Sequence, residues 1–321
     1  EAKALQLIQL DSEEDLQAFI SEHRFDANCD LILGGGSNIL FAGDVEGSVI
    51  LNRVSGKMII EESDEDVLVQ AHAGENWHEL VLWCLDQGLS GIENLSLIPG
   101  LVGAAPMQNI GAYGVELADV LDSVQALDLK SGQSREFRQR DCQLGYRNSR
   151  FKSADAGKYL ITAIRLRLQR KFIPKLAYKG LQEELLSMGI DTPSAKWVSE
   201  AVIRIRQRKL PDPGTIGNAG SFFKNPVVSR KSAEFLAREF TGLPMYSAGN
   251  DSKLSAAWLI EQCGWKGRSM GRAAVSEQHA LVLVNKDNAT GDEILALATA
   301  IQDSVQKRFG IELEPEPLII R

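Results

Sequence analysis

Gly34, Gly35 and Gly36, followed by Ser37 and Asn38, leave the apolar stretch LIL. Residues without side chains let successive main-chain N–H groups come close to a phosphate, so this turn has the makings of an anion nest. The run misses G-x-G-x-x-G, because Ile39 stands in the third glycine slot, and it lacks the Lys-Ser or Lys-Thr of a P-loop. A Rossmann domain is therefore disfavoured. A triple glycine also serves as a tight turn, and the residues alone leave both readings open.

A second stretch, PGLVGAAPMQNIGAYG, carries Gly100, Gly103, Gly111 and Gly114 with only Ala104 and Ala105 beside Pro106. Such a composition packs little core of its own and suits main-chain hydrogen bonding to a planar polar ligand or a pyrophosphate; an ordered surface loop is the alternative. Arg204, Arg206, Arg208 and Lys209 cluster just before Ser221 and Asn225. They imply a local anion, or else they complement the dipole at a helix C-terminus. Three alternating arginines cannot share one helix face, so only part of the cluster addresses any single ligand. Residues 267–271, GRSMG, satisfy G-x-S-x-G, but the strand-turn-helix context of a hydrolase elbow is missing. Cys29, Cys84, Cys142 and Cys263 form no C-x-x-C pair, and His23, His72, His78 and His279 show no metal-ligand spacing, although His72 and His78 could meet after folding. No metal site is expected.

The elements that must position these residues are legible in the periodicities. Helical spacing covers residues 13–24, LILGGGSNILF reads as strand, turn and strand, and GSVILNRV and DVLVQAHAG read as strands. A helix follows through Trp77, Leu80, Val81 and Cys84 and stops at Gly88. Strands are expected near 121–129 and 159–169. WVSEAVIRIRQRK suits a helix over 195–209 that ends before Pro211. Further helices are expected near 229–239, in LSAAWLIEQCG and over 291–309, with HALVLVN as a strand. Thr290 and Glu293 have capping-box spacing, and Gly310 sits where a left-handed C-terminal residue belongs. IELEPEP is expected to start as a strand and break at proline.

The chain has 321 residues, 44% of them hydrophobic and 24% charged, with 43 acids against 35 Lys and Arg for a net charge of −8. That composition is globular and lacks the basic field of a nucleic-acid binder. No apolar run approaches the roughly 20 residues that cross a bilayer, and acids stand near the start where a signal peptide has basic residues, so a cytoplasmic protein without membrane or nucleic-acid partners is expected.

Taken in order, LILGGGSNILF, AHAGENWHELV, LIPGLVGAAPMQNIGAYGVEL, GYRNSRFK, KLPDPGTIGNAGSFFKNP, AAWLIEQCGWKG, HALVLVN and the terminal LEPE resemble the UDP-N-acetylenolpyruvoylglucosamine reductases over residues 31–316. The resemblance implies an α+β fold: a two-lobed FAD-binding unit of the p-cresol methylhydroxylase and vanillyl-alcohol oxidase type plus a separate α+β substrate-binding domain. The implied divisions are residues 1–54 and 55–195 for the two FAD lobes, with a tyrosine-bearing insertion near 172–185. Residues 196–308 would form the substrate domain, and 309–321 a segment returning to the FAD unit. The implied reaction passes hydride from NADPH through FAD to UDP-N-acetylglucosamine enolpyruvate, giving UDP-N-acetylmuramate for peptidoglycan, in an enzyme expected to be a monomer.

By position in these motifs, Arg147 would clamp the substrate carboxylate, Ser221 would supply the proton and Glu316 would stabilise the enolate. FAD would lie against Gly34, Gly35, Gly36, Ser37, Asn38, Pro99, Gly100, Gly103, Ala104, Ala105, Asn109, Gly111, Gly114 and Ile161. The nucleotide sugar would meet Tyr178, Arg206, Lys209, Asn225, Tyr246, Lys253, Lys266 and His279, with Tyr113 and Tyr146 nearby. Arg272, at a place expected to be glycine, and Pro317, after Glu316, depart from the family pattern.

Overall fold

The computed structural model describes residues 2–178 and 180–321. The chain begins with β1 (Ala4–Leu10), α1 (Glu13–Glu22), β2 (Leu31–Leu33), β3 (Ile39–Phe41) and β4 (Val45–Asn52). It continues through β5 (Lys57–Glu62), β6 (Asp66–His72), α2 (Trp77–Asp86), the short β7 (Gly111–Ala112) and β8 (Val115–Glu116), β9 (Leu121–Asp128), β10 (Ser134–Arg138) and β11 (Tyr159–Gln169). Next come α3 (Leu181–Ser187), α4 (Ala195–Lys209), β12 (Asn218–Ser221), β13 (Val227–Ser229), α5 (Arg230–Glu239), β14 (Met245–Ala248) and β15 (Asp251–Leu254). The last elements are α6 (Ala256–Gln262), β16 (Ser269–Met270), β17 (Ala273–Val275), β18 (Val282–Asn285), α7 (Gly291–Phe309) and β19 (Leu318–Ile320).

Two compact units result, one of residues 3–36 and 45–206, the other of 37–44 and 207–321 together with the N-terminal end. The start expected at residue 196 lies inside α4, and the units divide further along that helix, between Arg206 and Gln207.

In the first unit, β1, β4 and β2 form a parallel sheet with β4 in the centre. The central strand is buried along most of its length, as a parallel strand covered on both faces must be. Ser12 and Asp15 make a reciprocal capping box that starts α1, whose Leu16 and Phe19 pack with Leu10 and Ile50. An antiparallel sheet follows in the order β10-β9-β11-β6-β5. Helix α2 buries Trp77, Leu80, Val81 and Cys84 in the core that this sheet forms. Its edge strands β5 and β10 were not foreseen, because mostly exposed side chains leave too little hydrophobic alternation to read. Helices α3 and α4 share a smaller core of Leu181, Leu185, Val198, Val202 and Ile205, with Phe172 and Leu176 against it.

In the second unit, β12, β18, β17 and β16 form one sheet and β13, β15 and β14 another. Helix α7 runs over the range expected, with the Thr290–Glu293 capping box at its start and Gly310 left-handed at its end. Arg272 grips both carboxylate oxygens of Glu293, at 3.1 and 2.8 Å, so the arginine, at a place expected to be glycine, secures the first turn of α7. The strand expected at 311–314 is absent; β19 forms instead beyond Pro317, in parallel with β3. The prolines fall between the N–H groups that the neighbouring segments use. Glu316 N donates to Phe222 O at 2.9 Å and Leu318 N to Asn38 O at 3.1 Å, and neither bond needs a donor from Pro315 or Pro317.

Ile301 of α7 is fully buried among Leu297, Val305 and Leu313. Truncation by Ile301→Ala is expected to cost about 2–5 kcal/mol in urea unfolding, as large-to-small core changes do; a loss below about 1 kcal/mol would contradict the packing described.

Candidate active site

Parallel strands β2 and β4 end side by side, and a cleft of about 430 Å³ opens at their carboxyl ends, lined by Gly34, Leu51, Arg53, Ser55, Gly74 and Leu101. Ligands of open α/β sheets bind at that end of the strands. Gly34 leaves β2 into the glycine turn, in which Gly36 has φ +68°, the left-handed conformation that builds a concave row of N–H donors. At Gly35 a Cβ would stand 2.9 Å from Gly100 Cα, so the glycine turn and the 99–104 segment touch main chain to main chain. Sequence reasoning missed Arg53 and Ser55. A single cation after a strand carries no local signal, and only the sheet brings it beside Gly34.

The 99–114 segment is held as scaffold on its inner side. Gly100 O accepts from Trp77 N and Gly103 N donates to Ala73 O. Ala105 is buried, and so is Ile161, whose carbonyl accepts from Asn52. Asn109 donates to Glu116 Oε2 and Gly145 O and accepts from Ala118 N, so its amide braces the loop. Pro99 lies exposed at the rim. Gly111 and Gly114 bracket a tight hairpin, and Gly111 O accepts from Arg147 Nη2 at 3.0 Å. Arg147 has φ +52° and its guanidinium lies 5.6 Å from the centre of the Tyr146 ring.

Arg206 belongs to the same unit. Its Nε donates to Leu97 O at 3.1 Å and its guanidinium bonds the Tyr113 hydroxyl. Burial, and then the charge of Arg147, lowers its pKa, while Tyr113 opposes the shift. Tyr113 and Tyr178 meet edge to face at 5.0 Å. Arg204, by contrast, pairs with Glu200 on the exposed side of α4. His78 accepts from Leu97 N through Nδ1, and His72 sits 3.8 Å from Glu13, so the two histidines have different partners.

In the second unit, Ser221 ends β12 and the main chain from 222 to 224 runs beside 314–316. The bond from Glu316 N to Phe222 O sets Ser221 and Glu316 on adjacent segments, and Asn38 Nδ2 donates to Glu316 O at 3.4 Å. Tyr246 and Lys253 are cross-strand partners on β14 and β15. Asn225 caps the start of α6 by accepting from Ala256 N at 2.9 Å. Lys266 pairs with Glu261 at 2.9 Å. His279 Nδ1 accepts from Leu281 N at 3.2 Å, which leaves Nε2 as the N–H donor of the neutral ring. Burial, then Lys209, depresses the His279 pKa, Glu261 opposes this and Lys266 adds to it. Ser269, in the false G-x-S-x-G, lies on the short strand β16 of a hairpin, as the missing elbow context required.

A model described as an FAD binding domain matches residues 4–138. The observed cleft fits such a cofactor: a glycine turn too close to Gly100 for any side chain, N–H groups for a pyrophosphate and Arg53 as a cation. FAD is the cofactor of this chain. The fold is accordingly α+β: an FAD-binding unit that contains a parallel and an antiparallel sheet, and a second unit that is itself α+β.

Gly35→Ala must push two main-chain segments apart, and its FAD affinity, read by flavin fluorescence, is expected to fall about tenfold or more. Gly145→Ala, where a methyl group meets open space, should bind FAD as the unsubstituted protein does; equal affinity in both variants would refute the cradle. His279 gives a pH prediction. Its folded pKa lies below the reference of 6.5, so the unfolded state binds more protons and stability falls as pH drops below that reference. The acid-side decline in urea midpoint should be shallower in His279→Gln, and an unchanged slope would count against a buried neutral ring.

A model of the C-terminal domain of UDP-N-acetylenolpyruvoylglucosamine reductase matches residues 212–320. The chain is 48% identical over 324 residues to the UDP-N-acetylenolpyruvoylglucosamine reductase of Azoarcus sp. (strain BH72), covering 99% of this chain and 93% of that protein. It is 47% identical to the enzyme of that name from Chromobacterium violaceum, covering 99% and 94%. The crystal structure of UDP-N-acetylenolpyruvylglucosamine reductase (MurB) from Thermus caldophilus superposes with a TM-score of 0.64 at 25% identity, over 98% of this chain and 92% of that one. A glycine cradle for FAD, a second α+β unit and near full-length identity with these reductases together establish that the chain belongs to the UDP-N-acetylenolpyruvoylglucosamine reductase family.

Proposed function

We propose that this reductase uses NADPH to convert UDP-N-acetylglucosamine enolpyruvate into UDP-N-acetylmuramate, with Arg147, Ser221 and Glu316 as its catalytic residues. When bound, FAD supplies the hydride relay between the nicotinamide and the terminal vinyl carbon. The remaining chemistry falls to the protein. Charge builds up at the carbon bearing the carboxylate, so the site needs a cation and a proton donor there. The planar fork of Arg147 suits a carboxylate better than an ammonium does, and its bond to Gly111 O fixes its reach. The Ser221 hydroxyl donates the proton to that carbon, and Glu316, in its carboxylic-acid form, stabilises the same charge by donating a hydrogen bond.

The observation that supports this reading is the main-chain bond from Glu316 N to Phe222 O, which sets the segments of the proposed donor Ser221 and the proposed acid Glu316 side by side although they are far apart in sequence. For the uridine diphosphate, Lys209, Lys266 and the neutral N–H donor of His279 supply an anion site, with Tyr246 and Lys253 as a cross-strand pair in the same unit. Arg206, Tyr113 and Tyr178 present a guanidinium and two aromatic rings to the same nucleotide sugar.

The test is Ser221→Ala. Its kcat with NADPH and the enolpyruvyl nucleotide sugar is expected to fall about 10²- to 10⁴-fold, the usual contribution of a general acid. FAD content, and the rate at which NADPH alone bleaches the flavin colour, should be unaltered. A slowing of that bleaching as large as the fall in kcat would remove Ser221 from the proton-donor role.

A further inference from the structure

Residues 93–97, ENLSL, form a short buried turn in which Glu93, Asn94, Leu95 and Ser96 are each no more than 2% exposed. Every one of them ties down a different neighbour. Glu93 Oε2 accepts from Gly91 N, and Leu95 O accepts from the indole N–H of Trp77. The Ser96 and Ser199 hydroxyls bond at 2.7 Å, fixing the turn to α4. Leu97, held at φ +57°, donates its N–H to His78 and accepts from Arg206.

We propose that Asn94 is a positioning residue for the substrate-binding groups, acting as a clamp between the Gly111–Glu116 hairpin and the segment that leads to Tyr178. Its Nδ2 donates to Tyr113 O at 2.8 Å and to Lys175 O at 2.9 Å, using both amide hydrogens on two main-chain segments. Two facing carbonyls accept only from a donor, so the nitrogen must point this way and a carboxylate at this position would repel both. Asn94 Oδ1 is buried without a hydrogen-bond partner. An unmade bond of that kind costs stability and an apolar side chain would avoid it, so the amide is retained for its two donors.

The clamp reaches three groups at once. The Tyr113 carbonyl fixes the hairpin whose Gly111 carbonyl takes the Arg147 guanidinium. The Tyr113 ring meets Tyr178 and its hydroxyl meets Arg206. Holding Lys175 sets where the chain turns toward Tyr178, and the Lys175 ammonium is separately anchored to Asp119 at 3.0 Å. Asn94 touches none of the reacting atoms; it determines whether Arg147, Arg206 and Tyr178 stand ready before substrate arrives. This inference rests on the proposed substrate contacts of Arg147 and Tyr178.

The experiment uses the FAD-loaded full chain with Asn94→Ala, Asn94→Ser, Tyr178→Ala and the Asn94→Ala/Tyr178→Ala double variant. In Asn94→Ala the KM for the enolpyruvyl nucleotide sugar is expected to rise about 5- to 50-fold, the range of coupling between interacting residues, with a smaller fall in kcat through Arg147 and FAD affinity within about threefold. Asn94→Ser, with one donor in place of two, should fall between. The double variant should be less impaired than the product of the two single effects, because the Tyr113–Tyr178 contact is part of what Asn94 holds. Multiplying effects, or an unchanged KM in Asn94→Ala, overturn the proposal. If Tyr178→Ala itself leaves KM unchanged, it is the proposed role of Tyr178 that fails. Amide hydrogen exchange gives a second readout should Asn94→Ala not fold: Asn94→Ser should speed exchange in residues 111–116 and 172–178 alone, and a uniform increase across the unit would refute the clamp.

Discussion

The contact on which the cofactor site depends is the approach of Gly35 to Gly100, so close that a methyl group would stand 2.9 Å from the second residue's Cα. Both segments are main chain at that point, and neither has a flexible end to move aside. The glycine turn is carried by β2 of the parallel sheet, while the 99–104 segment is bonded to Trp77 and Ala73 beside the antiparallel sheet. One contact thus sets the distance between two differently built halves. The cleft lined by Gly34, Leu51, Arg53, Ser55, Gly74 and Leu101 is the space that this distance leaves.

Unlike that cradle, the side that carries the proposed proton donor is built from strand pairing. Ser221 and Glu316 are 95 positions apart in the chain, yet the bonds Phe222–Glu316 and Lys224–Glu314 bring their segments together with alternate residues paired. Prolines at 315 and 317 break the local strand signal without breaking this arrangement, because their missing N–H groups fall where no ladder bond is required. Pro317, which the resemblance marked as a departure, is therefore compatible with the geometry around Glu316. Arg272, another departure, is absorbed by its bidentate grip on Glu293.

Helices were the most legible part of the sequence. Helix α4 occupies the expected 195–209 and α7 the expected 291–309, because amphipathic spacing, a capping box and a terminal glycine all act locally. Edge strands β5 and β10 were illegible, since a strand with few buried residues leaves no pattern. The site divides along the same line. The glycine turn announced itself through composition, whereas Arg53 and Asn94 are ordinary residues locally and gain their meaning only from what the sheets and turns set beside them. Asn109, placed against the flavin by the resemblance, has its amide bonded to Glu116, Gly145 and Ala118, a bracing role that local sequence did not announce.

Charge placement explains how a chain of net charge −8 can serve anionic ligands. Several of its cations are spent on nearby acids, as in Lys57–Glu75, Arg167–Asp66, Arg204–Glu200 and Arg272–Glu293. Arg206 is treated differently. It is buried with a carbonyl and a phenol as partners and with a second guanidinium acting on its charge, an arrangement that lowers its pKa and costs stability. A protein gains nothing in folding from setting two such cations against each other. Under the substrate contacts proposed for Arg147 and Arg206, an arriving carboxylate or phosphate relieves that repulsion and returns part of the cost as affinity.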